Sequence, residues 1–258
     1  MIDLDSLLKF YPAKFTDFKR NILAEYLQCK ILEYIYSSEW GNTLVFMGGT
    51  AIRLCYESER FSEDIDFDNR GISKKEFKDL SDMLVFKIKL EGYEVRADVS
   101  FKRASRCFLR FPGIYYSYKL SPHPEERMLL QIDTEPQNFN YETETRIINR
   151  FGIFTRVKVA TPSALLSMKI AALLGRKREK GRDFYDITFL SEFASPDFKY
   201  LKAKTGISSS SELKEKLLKK ISGMDLKKAA AEIKPFLFSA SDVERVLAFK
   251  EFIEQWKM

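Results

Sequence analysis

The stretch Glu63–Asp68, EDIDFD, alternates acidic and apolar side chains. In a strand, alternate residues point to opposite faces, so Asp64, Asp66 and Asp68 share one face while Ile65 and Phe67 pack into a core on the other. A chain that carries such a strand must build a sheet that leaves the acidic side uncovered. Same-face neighbours lie about 7 Å apart at the backbone, and without a cation among them the carboxylates repel and raise one another's pKa. Hard oxygen donors in this pattern suit Mg²⁺, which commonly takes one or two carboxylates and completes its shell with substrate phosphates. Two such ions about 3.5–4 Å apart are the arrangement used for in-line displacement at phosphorus.

The preceding residues sharpen the reading. NTLVFMGG is a short apolar strand stopped by glycines, and TAIRLCYE returns to helical character. Gly48-Gly49-Thr50 therefore stands where a strand turns into a helix, a junction whose free N–H groups favour phosphate. Arg53 is expected on the first turn of that helix, near the same end. A phosphate cradle and a carboxylate pair separated by one short helix are the two halves of a metal–nucleotide site.

Further along, Ser73-x-x-Glu76 is a capping box, followed by Phe77, Leu80, Leu84 and Ile88 on one helical face and closed by Gly92. YEVRADVSF, RCFLRF and RMLLQIDTE read as strands, and RVKV as a last short one. Thr161 is the expected N-cap of a helix with Pro162 at its first position. KLLKKIS, DLKKAAAEIKPFLF and SDVERVLAFKEFIEQW are helical in pattern, and TGISSSSELK is a loop running into a helix. The expected organisation is an α/β (α+β) core with a mixed sheet over residues 1–155 and a mainly helical, basic domain over residues 156–258.

Residues 44–190 resemble the AbiEii-type toxins of type IV toxin–antitoxin systems, within the DNA polymerase β-like nucleotidyltransferase superfamily. The resemblance rests on GGTAIRL followed by RFSEDIDF, and on the later helix KIAALLGRKREKGRDFYDITFL. It implies a nucleotidyltransferase core. It assigns Gly48, Gly49 and Thr50 to nucleotide binding and Asp64 and Asp66 to metal binding and catalysis. A third metal carboxylate from a later strand is implied as well; Asp133 in LLQIDTE is the candidate, with Asp68 its competitor unless Asp68 forms a turn beside Asn69 and Gly71.

Lys169 is the lone charge in ALLSMKIAALL, where an unpaired ammonium would be costly. It must reach water or an anion, and the resemblance implies contact with substrate phosphate. Arg176, seven positions on, is expected on the same helical face, so that both could reach the triphosphate of a nucleotide. Arg182, Asp183 and Asp186 match the family's Arg-Asp-x-x-Asp pattern. The two aspartates could pair with Lys169 or Arg176, with Asp186 the stronger catalytic candidate.

The implied reaction uses Mg²⁺, two ions by expectation, and an NTP substrate. The acceptor is the tRNA 3′ end or another RNA, and a separate antitoxin protein is the implied partner. The alternatives are nucleotidyl transfer to a protein hydroxyl, or a silent nucleotide- or RNA-binding module. Charge bears on the acceptor: residues 1–150 carry 22 basic and 24 acidic side chains, residues 151–258 carry 21 and 13. The basic surplus thus lies in the second part, where Lys214, Lys216, Lys219, Lys220, Lys227 and Lys228 suit an RNA backbone. Cys29, Cys55 and Cys107 are widely separated and His123 is the single histidine, which argues against a zinc site. No secretory signal or membrane-spanning run is visible, so a cytoplasmic protein is expected.

Overall fold

The computed structural model describes residues 1–102 and 104–257. Its contacts divide the chain into two compact units. The first comprises Met1–Cys55, Phe61–Gln137 and Glu144–Val159; the second comprises Tyr56–Arg60, Asn138–Thr143 and Ala160–Met258. The main division falls between Val159 and Ala160, at the end of a sheet strand.

The first unit is built on a sheet of β1 (Leu44–Met47), β2 (Ile65–Asn69), β3 (Arg96–Phe101), β4 (Ser105–Pro112), β5 (Arg127–Thr134), β6 (Thr143–Arg150) and β7 (Ile153–Ala160), in the order β3-β4-β5-β2-β1-β7-β6. The sheet is mixed, as expected. β2 runs antiparallel to β1 and parallel to β5, and β7 runs parallel to β1. β6 is the strand the sequence did not disclose. TETRIINR lies at the sheet edge, where one side of the ladder is free and charged residues are tolerated, so it lacks the apolar alternation of an inner strand.

Helix α1 (Lys19–Tyr36) buries Ile22, Leu23, Leu27, Ile31, Leu32 and Ile35. Helix α2 (Gly48–Tyr56) follows β1 directly. Helix α3 (Lys74–Leu90) has the anticipated capping box: Ser73 Oγ accepts from Glu76 N at 3.2 Å, and Ser73 N donates to Glu76 Oε2 at 2.8 Å. Its face of Phe77, Leu80, Leu84 and Ile88 is buried, each side chain contributing about 1.5–3 kcal/mol relative to exposure. Gly92, at φ +88°, lets the chain turn out of this helix.

The second unit contains α4 (Pro162–Gly175), α5 (Gly181–Leu190), α6 (Phe198–Thr205), α7 (Ser210–Ile221), α8 (Leu226–Ile233) and α9 (Phe249–Gln255). Four local expectations change here. Thr161 is the N-cap residue, but its hydroxyl donates to Glu142 O at 3.3 Å instead of capping α4. The segment KIAALLGRKREKGRDFYDITFL is two helices: α4 stops at Gly175 and α5 starts at Gly181, where Gly181 lies so close to Ala229 that a Cβ would come within 2.1 Å of its carbonyl oxygen. DLKKAAAEIKPFLF leaves the α-helix before Pro235, which has no N–H to continue it. SDVERVLAFKEFIEQW is likewise broken, at Ala248.

Candidate active site

Gly48 joins β1 to α2 at φ +78°. A side chain is unwelcome here for two reasons. The left-handed backbone disfavours it, and an added Cβ would lie 2.1 Å from Asp66 Oδ2. The Asp66 carboxylate thus nests against the bare backbone of the glycine turn. β1 and β2 are antiparallel with Met47 opposite Asp66, which brings the turn and the acidic strand together. Thr50, fully buried, adds a second tie by donating its hydroxyl to the Asp64 carbonyl. Its hydroxyl straps the helix start to the acidic strand.

Asp133 on β5 is the register partner of Asp66. Paired strands stand about 4.8 Å apart, and register partners present side chains to the same face. Asp133 Oδ1 accepts from Gln131 Nε2 at 2.9 Å, and Oδ2 from Arg106 Nε at 3.2 Å. Burial pushes the Asp133 carboxyl above the ordinary aspartate range; Gln131 and Arg106 pull it back, and the charge of Asp64 pushes it up again. The charge of Asp64 thus reaches Asp133, and Asp66 is the register partner of Asp133, so the three carboxylates share one acidic neighbourhood. Asp68 has a different place. It is buried, accepts from Arg70 Nε at 3.0 Å and Gln137 N at 2.7 Å, and anchors the end of β2.

Arg53 lies in a buried ionic cluster. It is buried on α2, with Nε 2.8 Å from Glu25 Oε2 and Nη2 3.3 Å from the Tyr11 hydroxyl. Arg150 Nε lies 3.1 Å from the same Glu25. A guanidinium neutralised inside this cluster holds α1 against α2. Glu25 carries no sequence signal beyond being a charge among the apolar residues of α1.

In the second unit, Asp186 is wholly buried and grips Arg60 bidentately, with Nε–Oδ1 at 2.7 Å and Nη2–Oδ2 at 2.6 Å. Lys169 Nζ lies 2.8 Å from Asp186 Oδ2 and 4.0 Å from Asp183 Oδ1. Arg176 binds Asp183, with Nη2 3.3 Å from Oδ1. Pairing of the two aspartates with Lys169 and Arg176 is thus as expected from the sequence. The route is different for Arg176, which is the extended C-cap of α4 and not a residue two turns along it. Burial alone would raise Asp186; Arg60 and Lys169 hold its carboxyl below the usual range. Both oxygens of Asp186 are thus occupied by ion pairs with Arg60 and Lys169. Arg182 stands half-buried on α5. Arg60 was missed because its partner lies 126 positions away.

A cavity of about 610 Å³ in the same unit is lined by Lys204, Lys216, Lys219 and Lys220 over an apolar floor that includes Ala171 and Leu174. Of the lysines singled out in the sequence, Lys214 and Lys220 donate to the carbonyls of Glu254 and Arg176, and Lys216 pairs with Glu212 at 2.9 Å. Lys204 is a member of this basic lining that helix pattern alone does not reveal.

A family model of the nucleotidyl transferase AbiEii toxin, of type IV toxin–antitoxin systems, matches residues 30–250. The chain belongs to this AbiEii family. Its fold agrees. JHP933 from Helicobacter pylori shares 18% identity over 91% of this chain and 90% of its own, with a TM-score of 0.56. An H. pylori protein provisionally described as a nucleotidyltransferase shares 18% identity over 91% and 93%, with a TM-score of 0.57. No curated protein matches the chain in sequence. AbiEii membership carries nucleotidyl transfer as the general activity, with an NTP as substrate and an antitoxin as counterpart. Among the described residues, no helix is long and apolar enough to cross a membrane.

The AbiEii reading calls for a divalent cation, and the donor set can be tested against it. Among the described residues, no three carboxylate, histidine or cysteine groups already stand as a metal cluster. The acidic neighbourhood nevertheless fits a hard cation: Asp66 is cradled by Gly48, Asp133 is its register partner, and Asp64 is close enough to perturb Asp133. Mg²⁺ needs only one or two of these oxygens when phosphates supply the rest.

Proposed function

We propose that this AbiEii-family chain transfers a nucleoside monophosphate from an NTP to the 3′ end of an RNA, tRNA being the expected acceptor, and thereby blocks translation in the cytoplasm. The observation that carries the reading is the Asp66–Asp133 register pair set against the glycine turn at Gly48. Asp64 and Asp66, with Asp133 beside them, would hold Mg²⁺, in one or two ions. When bound, Mg²⁺ supplies Lewis-acid polarisation of the phosphoryl oxygens and a lowered pKa for the attacking hydroxyl.

The chain's own residues do the rest. Gly48 and Gly49 offer bare backbone at the start of α2 for close approach of phosphate. Thr50 fixes the acidic strand relative to that turn. Lys169, the cation that the family pattern assigns to substrate phosphate, is held in place within the second unit by Asp186. In-line attack by the RNA hydroxyl on the α-phosphorus expels pyrophosphate. The lysines around the second unit's cavity favour an RNA backbone over a neutral acceptor.

Incubating the protein with Mg²⁺, each α-labelled NTP in turn and a mixture of total RNA and total protein tests the proposal. Label in RNA of tRNA size supports it. Label in protein alone selects the protein-hydroxyl acceptor, and label in neither leaves a binding module.

A further inference from the structure

The face of the sheet that carries Asp66 and Asp133 continues outward across β5, β4 and β3. Register partners lie side by side along it. Asp133 stands opposite Arg106, and Arg106 opposite Ser100. The next row is Gln131, Phe108 and Asp98, and the row after it is Leu129, Arg110 and Arg96. The intervening residues Cys107, Leu109 and Phe111 have no exposure and fill the core on the opposite side.

This outer face is unlike an ordinary solvated sheet. Leu129 is 50% exposed and Phe108 is partly exposed; Phe108 lies between Arg106 and Arg110 along β4, and Leu129 stands beside Arg110 on β5. Arg106 and Arg110 remain substantially exposed at 48% and 34% while Asp133 and Asp98 steady them. An aromatic ring flanked by guanidinium groups on an open sheet is the arrangement that receives unpaired bases by stacking and their phosphates by charge. Phe108 lies two strands and one row from Asp66, on the order of 12 Å away by strand geometry. That distance suits nucleotides adjoining a reacting end rather than the reacting nucleotide.

We propose that the open face of β3, β4 and β5 is the platform for the unpaired nucleotides next to the RNA 3′ end, with bases on Phe108 and Leu129 and phosphates against Arg106 and Arg110. The proposal rests on the RNA-acceptor reading above and adds where the acceptor strand lies. Phe108 is a binding and positioning residue, so its loss should act on RNA recognition and leave NTP recognition alone.

The test uses the full chain, with Phe108→Leu to keep an apolar side chain and remove the aromatic face, and Phe108→Tyr to restore it. KM is measured separately for RNA and for NTP. In parallel, a single-stranded oligoribonucleotide with a free 3′ hydroxyl and 4-thiouridine near that end is photo-crosslinked to the wild-type protein. The expected result is a KM for RNA raised about ten-fold in Phe108→Leu, the scale of one lost stacking contact. Phe108→Tyr should return it to the wild-type value, KM for NTP should not change, and the crosslink should map to residues 96–112 or 127–134. An unchanged KM for RNA in Phe108→Leu, or a crosslink confined to other peptides, overturns the platform while the RNA-acceptor reading stands. Failure of the wild-type protein to label any RNA overturns both.

Discussion

Asp66 and Asp133 stand opposite one another on the parallel strands β2 and β5, 67 positions apart in the chain. Two ionisable carboxylates so placed, with Asp64 adding its charge, are an unfavourable arrangement for a fold and a useful one for a cation. Asp64→Asn and Asp66→Asn are each expected to abolish nucleotide transfer while circular dichroism and melting remain those of the wild type. Asp133→Asn should lower transfer as well. Because ionised Asp133 is held against burial, its melting temperature at neutral pH should equal or exceed the wild-type value. A clear drop in melting temperature would make Asp133 a structural partner of Arg106 instead.

Gly48→Ala should be far more harmful than a typical surface substitution. The new Cβ meets Asp66 and forces a positive φ on a residue that resists it. A stability loss of about 1–3 kcal/mol is expected from the backbone conformation alone, together with loss of transfer as Asp66 is displaced. Gly175→Ala is the matched control, since nothing lies within 4 Å of a Cβ added there. Chemical denaturation and transfer assays on the two variants should separate cleanly; equal behaviour would show that Asp66 does not depend on the bare backbone of Gly48.

The Arg60–Asp186–Lys169 cluster should dominate the stability of the second unit. Asp186→Ala leaves a buried guanidinium without its carboxylate and is expected to cost about 3–5 kcal/mol. The pH dependence follows from the depressed carboxyl of Asp186. Its stabilisation is present above the unfolded aspartate value of about 3.9 and is lost as pH falls through the lower folded value. Acid unfolding of the wild type should therefore be steep below that point. The stability difference between wild type and Asp186→Asn should be largest at neutral pH and shrink as pH falls.

Lys169→Ala separates anchoring from substrate contact. Asp186 keeps its bidentate Arg60 in this variant, so the melting temperature should fall less than in Asp186→Ala. NTP affinity, read by equilibrium dialysis, should weaken by the roughly 2–5 kcal/mol of a lost charge contact. A collapse in melting temperature with unchanged NTP affinity would assign Lys169 to the structural cluster alone.

Lys204 and Lys219, which line the basic cavity, should be the lysines that matter most for RNA. Replacing both with alanine should weaken tRNA binding and lower the slope of log K against log salt by about 0.7–0.9 per phosphate contact removed. NTP affinity should be spared. A salt slope identical to the wild type would place the RNA contacts elsewhere.

What the sequence determined by itself is local. The alternation in EDIDFD set the strand and its two faces, the paired glycines after an apolar run set the strand-to-helix turn, and Ser73 with Glu76 set the start of α3. These signals need only a few neighbouring residues, because backbone geometry fixes which side chains share a face. Tertiary structure decided the partners. Nothing near Asp133 states that β5 will lie beside β2, nothing near Arg53 names Glu25, and nothing near Arg60 names Asp186. Even Arg176, which helical spacing places beside Lys169, reaches the cluster only because α4 ends at Gly175 and Gly181 packs under the Ala229 carbonyl. Periodicity records that a side chain must be buried or must face a sheet's open side. Which distant strand or counter-ion meets it there depends on how the whole chain satisfies burial, ladder hydrogen bonding and charge at once.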